Sequence, residues 1–222
     1  MCKIKAFIFD MDGVILDSER ISDITWEKAA TKLKLSKSSS AIIDKCRGTN
    51  YDDMVILLKD YYGSDFDVHK FLSLTGEYFR EIEDTSGIPL LPFVKESLDF
   101  LTKHFTLGLA SSTAGNTVRR QLTAAGVINY FEKLVTGDMV VHSKPDPEIY
   151  RLACESLSLK PEQCIAVEDS PNGIKSAYEA GLQVIMVPDM IKPAADLEKM
   201  CLTVCNSLND MCDYVKLNLL NA

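Results

Sequence analysis

The chain has 222 residues, with 24 Lys and Arg against 32 Asp and Glu, so its formal charge is −8. Hydrophobic residues at 46% and charged residues at 25% form a globular composition, which excludes a disordered or low-complexity chain. The acidic balance disfavours nucleic acid as a main partner, because phosphate backbones attract basic faces. No apolar run approaches the roughly 20 residues that a membrane span needs. The acid in Phe9-Asp10 interrupts the stretch where a signal peptide would continue. A cytoplasmic protein with no membrane partner is expected. The seven cysteines (2, 46, 154, 164, 201, 205, 212) are read as reduced thiols, and Cys201 and Cys205 with Cys212 but no nearby His do not read as a zinc site.

Short apolar runs recur along the chain. Ala6–Phe9, Thr106–Ala110, Ile165–Val167 and Val184–Val187, with a weaker run at Leu134–Val135, are near-continuously apolar, as strands buried on both faces of a parallel sheet are. Helical spacing fills the intervals, over Pro92–Lys103, Asn116–Ala125, Pro147–Leu157 and Pro171–Ala180. The last opens on Pro and stops at Gly181, the asymmetry of a capped helix. Strand–helix alternation predicts right-handed crossovers and a doubly wound α/β sheet.

Between about Asp17 and Gly87 the rhythm changes to helical spacing alone, with Met54, Leu57, Leu58 and Tyr61 on one face and Phe71, Thr75, Tyr78 and Ile82 on another. This predicts a core domain of residues 1–16 and 88–222 and a helical domain of residues 17–87. Gly13-Val14-Ile15-Leu16 and Asp84-Thr85-Ser86-Gly87-Ile88-Pro89 are the candidate hinges.

Ligands of doubly wound sheets sit beyond the carboxyl ends of the strands, and four polar clusters fall there. Asp10-Met11-Asp12-Gly13 offers two carboxylates for a hard cation, or for divided nucleophile and acid–base work; alone it also reads as a loop with solvated acids. Ser111-Ser112-Thr113 offers hydroxyls and amides at a helix start, as an anion cradle or an ordinary N-cap. Lys144, in Ser143-Lys144-Pro145-Asp146-Pro147, offers an ammonium on a backbone restricted by prolines. Glu168-Asp169 suits a magnesium ion, or complements the dipole of the helix that follows. Acids for a cation with hydroxyls and a lysine for an anion form an inventory that fits phosphoryl transfer.

In order and spacing, Asp10-Met11-Asp12-Gly13, Ser111-Ser112-Thr113, Lys144-Pro145 and Glu168-Asp169-Ser170-Pro171-Asn172-Gly173 resemble the four motifs of the haloacid dehalogenase superfamily. Gly137-Asp138, Lys144-Pro145-Asp146-Pro147 and the helical insert resemble its β-phosphoglucomutase-like phosphatase branch. The resemblance implies a Rossmann-like core with a helical cap domain. It implies Asp10 as nucleophile, Asp12 as general acid and base, and Mg²⁺ held by Asp10, the Asp12 carbonyl and Asp169, with Glu168 as a ligand or a partner of one. Ser111 and Lys144 would hold the transferring phosphoryl group, assisted by Ser112, with Asn116 contacting phosphate or substrate.

Mutases of this branch carry a cap His where Ser22 stands, an Arg after the cap Gly where Tyr51 stands, and a Lys near Leu74. Their absence favours a phosphatase over a phosphosugar mutase. Arg47-Gly48 is the cap candidate for substrate contact, and Glu19 and Trp26 resemble positions at the cap entrance. Intact acids argue against a non-catalytic binding protein, and Asp12 with Glu168-Asp169 against dehalogenation. The expected partner is a small phosphorylated metabolite, and the expected assembly a monomer or weak homodimer.

Overall fold

In the computed structural model, the described residues are 3–47, 51–191 and 194–220. They form two compact units, residues 1–17 with 89–222, and residues 18–88.

The larger unit is built on a six-stranded parallel sheet. Its strands are β1 (Ala6–Phe9), β2 (Thr106–Ser111), β3 (Lys133–Thr136), β4 (Cys164–Glu168), β5 (Gln183–Met186) and β6 (Thr203–Val204), in the order β3-β2-β1-β4-β5-β6. Register is regular: Ile8 lies opposite Gly108 on one side and Ala166 on the other. Both faces of the sheet are buried, which is why its strands read as continuous apolar runs. Ala6, Ile8, Ala166, Val184 and Met186 share one cluster with Tyr150, Ala153, Ile174 and Ala177, from the helices at Glu148–Ser156 and Pro171–Glu179. Their neighbours Phe7, Phe9, Leu109, Ile165, Val167 and Ile185, pointing the other way, are fully buried as well.

Helices α5 (Val94–Leu101), α6 (Gly115–Ala124), α7 (Glu148–Ser156), α8 (Pro171–Glu179), α9 (Ala195–Glu198) and α10 (Leu208–Val215) complete this unit. The expected helix at Pro92 starts two residues later, because Phe93 takes φ +65°, a left-handed conformation outside the helix. The sequence reading missed β6 and α9, which are two and four residues long, and also α10. The α8 start is as the Ser-Pro pair suggests: Ser170 Oγ accepts from Gly173 N at 3.1 Å and Pro171 fills the first position.

The smaller unit is helical: α1 (Ser18–Lys32), α2 (Ser40–Cys46), α3 (Tyr51–Tyr62) and α4 (Val68–Ser86). Trp26, Ala29, Ile42, Ile43, Leu58 and Phe71 form its own core, with Trp26 edge-on to Phe71 at 5.2 Å. Of the two expected faces, Leu58, Phe71 and Thr75 are buried and the rest partly so. Asp84, Thr85 and Ser86, expected in a hinge, are the last turn of α4, which Gly87 ends at φ +71°. Within the larger unit, the departing and returning segments pair: Asp17 N donates to Pro89 O at 2.9 Å, and Leu16 bridges to Leu90.

Candidate active site

Four segments converge at the carboxyl edge of the sheet, beyond the neighbouring strands β2, β1 and β4. Asp10 N continues the β1–β4 ladder by donating to Val167 O at 3.0 Å, which holds Asp10 at the strand tip. The chain then curls, Ile15 N and Leu16 N both donating to Met11 O. Gly13 is required at this turn: its φ is +74°, and a Cβ there would lie 2.2 Å from Asp169 Oδ2. The curl carries Asp12 to the end of β2, where Thr113 Oγ1 donates to Asp12 Oδ2 at 2.9 Å.

Lys144, 134 residues from Asp10, closes the opposite side. Its ammonium donates to Asp10 Oδ1 at 2.8 Å, Glu168 Oε1 at 2.6 Å and Ala110 O at 3.0 Å. It also sits 5.0 Å from the centre of the Tyr150 ring. Burial opposes its charge, but Asp10 and Glu168 hold its pKa above the ordinary lysine value, so it is an ammonium. The restricted loop here includes a cis Lys144–Pro145 bond, and Glu148 pins it by accepting from Val141 N and His142 N.

Carboxylate oxygens of Asp10, Glu168 and Asp169 all lie within 4.8 Å of one another, and the three residues are buried. Burial lifts the Asp10 pKa to about 7, with Glu168 and Asp12 adding to the rise against the pull of Lys144. Glu168 is fully buried among donors. Tyr150 Oη and Lys144 reach Oε1, while Asp169 N, Ser170 N and Ser170 Oγ reach Oε2 at 3.2 to 3.4 Å. Gly173 makes room for it, since a Cβ at that position would sit 2.0 Å from the Glu168 carboxyl carbon.

Of the other expected site residues, Ser111 is fully buried at the tip of β2, its Oγ accepting from Thr113 N at 3.1 Å. Ser112 and Asn116 are exposed. The start of α6 is held from the segment after β3, Gly115 N donating to Asp138 Oδ1 at 2.8 Å, with Thr136 Oγ1 donating to the same oxygen. Arg47 belongs to the helical unit, where its guanidinium donates to Glu19, Asp23 and Asp44, with its side chain only 4% exposed. Glu19 is thus its partner within the unit, and Trp26 lies in the helical core. Gly48 lies outside the described residues.

Sequence reasoning assigned no role to Tyr150, and it read the Thr113 hydroxyl as part of an anion cradle or an N-cap rather than as a donor to Asp12. Tyr150 was masked by apolar helical spacing, and Thr113 by an interaction that spans 101 residues.

Residues 7–187 match the haloacid dehalogenase-like hydrolase family. YhcW of Bacillus subtilis (strain 168), provisionally named a phosphatase, is 31% identical over 85% of this chain and 85% of its own. A phosphorylated carbohydrates phosphatase of Thermotoga maritima is 29% identical over 82% of this chain and 83% of its own. A Thermotoga maritima structure provisionally described as a β-phosphoglucomutase has a TM-score of 0.79 at 26% identity, over 97% of this chain and all of that one. The chain belongs to the haloacid dehalogenase-like hydrolases. Within them it falls in the β-phosphoglucomutase-like branch, as a phosphoric monoester hydrolase.

Proposed function

We propose that this enzyme hydrolyses a small phosphomonoester, a sugar phosphate or similar metabolite, through a phosphoryl group carried on Asp10. One observation carries the reading: a buried carboxylate at a strand tip, 2.8 Å from a buried ammonium, with a second carboxylate two residues on, held by a hydroxyl. An Asp10 oxygen attacks phosphorus as the ester P–O bond breaks, and protonated Asp12 gives its proton to the leaving oxygen. Asp12 then takes a proton from water, whose oxygen displaces Asp10 and releases inorganic phosphate. Ser111 and Lys144 hold phosphoryl oxygens as charge spreads over them. The Ser112 amide assists, and Asn116 contacts phosphate or substrate.

The site suits a hard divalent cation. Three buried carboxylates face one ammonium, an excess of negative charge in a dry setting, and all their ligand atoms are oxygens. Asp10, the Asp12 carbonyl and Asp169 would hold Mg²⁺, with Glu168 beside them. When bound, the ion supplies positive charge against the phosphoryl oxygens and keeps Asp10 ionised.

Residues 17–87 serve as the cap that selects the leaving group. Arg47 works chiefly as the tie between α1 and α2, since a substrate anion would have to displace one of three carboxylates from it. Among the described residues no helix is long and apolar enough to cross a membrane; we place the enzyme in the cytoplasm, as a monomer or weak dimer that binds no nucleic acid. Asp10→Asn is expected to lower phosphate release from a panel of phosphate esters by about a thousandfold or more with folding intact. Chelation is expected to silence the wild type. Undiminished turnover by the variant would refute the nucleophile. Conversion of β-glucose 1-phosphate to glucose 6-phosphate faster than phosphate release would favour a mutase instead.

A further inference from the structure

The hydroxyl of Tyr150 has no part in the chemistry above, yet it is placed with care. Tyr150 is fully buried on α7, and its Oη donates to Glu168 Oε1 at 2.7 Å. The same oxygen accepts from Lys144 at 2.6 Å, and the Lys144 ammonium rests over the Tyr150 ring. A phenylalanine would fill the same space and keep the ring under the ammonium, so packing alone does not call for the hydroxyl. What the hydroxyl adds is a second donor on the Glu168 oxygen that shares the Lys144 ammonium with Asp10. Burial and the neighbouring Glu168 keep the phenol far above its usual pKa, so it remains a donor.

We propose that Tyr150 is a positioning residue: its hydroxyl holds Glu168 Oε1 on Lys144 and withholds that oxygen from the cation, leaving the ion to Asp10 and Asp169. The proposal rests on the cation-dependent reading above. A donor on Oε1 occupies a lone pair that a cation would use and lowers the negative charge that it would meet. Glu168 thereby keeps Lys144 aimed beside Asp10, and the cation is held loosely enough to exchange.

The test uses the whole protein and Mn²⁺ as a paramagnetic probe, titrated by electron paramagnetic resonance. Tyr150→Phe is expected to bind Mn²⁺ about three- to tenfold more tightly than wild type, the worth of the one hydrogen bond that competes with the ion for Oε1. Its kcat falls with KM little changed, because Lys144 loses part of its anchor. Tyr130→Phe, which loses a hydroxyl bond to Asp99 on an exposed surface, is expected to leave Mn²⁺ affinity unchanged. Unchanged or weaker Mn²⁺ binding in a folded Tyr150→Phe protein overturns the proposal. If that variant does not fold, a crystal structure of the Mn²⁺-loaded wild type decides. Tyr150 Oη still on Oε1, with that oxygen beyond about 3 Å from the ion, supports the proposal; Oε1 coordinating the ion overturns it. A wild type that binds no Mn²⁺ and releases no phosphate from any ester overturns the functional reading and this one together. A wild type that does both, with Tyr150→Phe indistinguishable in Mn²⁺ affinity, overturns only this one.

Discussion

Asp10 stands where two demands on a carboxylate conflict. A nucleophile must be ionised, yet burial raises its pKa from 3.8 to about 7. Between those values the folded state keeps a proton that the unfolded chain has released, so stability rises as pH falls through that window. Glu27, Asp138 and Glu148, whose pKa values are lowered, act in the opposite sense, but only as pH drops through and below the ordinary carboxylate range. The raised Lys144 loses its contribution only in alkaline solution. In excess chelator the melting temperature is therefore expected to be higher at about pH 5.5 than at about pH 7.5, and Asp10→Asn should flatten the difference. Thermal melts at the two pH values check this, and a rise with pH would contradict it. Arg47 permits a second prediction at this scale. Its guanidinium is buried but its partners are partly exposed, at 31%, 35% and 75%, so Arg47→Ala is expected to cost about 2 kcal/mol in chemical denaturation. A loss of substrate affinity with unchanged stability would mark Arg47 as a substrate contact instead.

At the scale of elements, the turn after β1 ties the strand to its chemistry. Gly13 lets the chain pass with positive φ directly against the Asp169 carboxylate, and the turn delivers Asp12 to Thr113. Gly13→Ala carries a left-handed cost of about 1 kcal/mol and also forces Asp169 aside. It is expected to weaken divalent cation binding more than it lowers the melting temperature; calorimetric titration with Mn²⁺ beside a thermal melt separates the two. Strands were the legible elements. Ala6–Phe9 was read to its ends and the next runs to within a residue or two, because burial on both faces leaves no polar position to blur the signal. The Pro92 helix start was misread because proline permits a first turn without requiring one, and here Phe93 in left-handed geometry postpones it. β6, two residues long, carries too little pattern to be seen.

At the scale of the whole molecule, the chain divides into units that each hold a hydrophobic cluster of their own. Removal of a large side chain from one cluster should therefore destabilise that unit first. Trp26→Ala leaves a void against Phe71 and is expected to cost about 3–5 kcal/mol in the helical unit. Hydrogen exchange should then accelerate in α1 and α4, with the amides of β1, β2 and β4 still protected. Uniform acceleration across both would show that the two unfold as one.

The parallel sheet, the helical interruption and the residue types at the strand tips are all written in the order of residues, because burial periodicity and strand-end polarity are local properties of the chain. The chain also carries the order and spacing of four motifs, enough for the family. Which groups meet is settled by folding alone. Lys144 closes on Asp10 across 134 residues, Thr113 on Asp12 across 101, and Tyr150 and Lys144 share one oxygen of Glu168. Arg47 is turned onto three carboxylates by the packing of α1 and α2. A hydrogen bond of this kind depends on where two separate elements bring their side chains, and nothing in the residues near either partner records that distance.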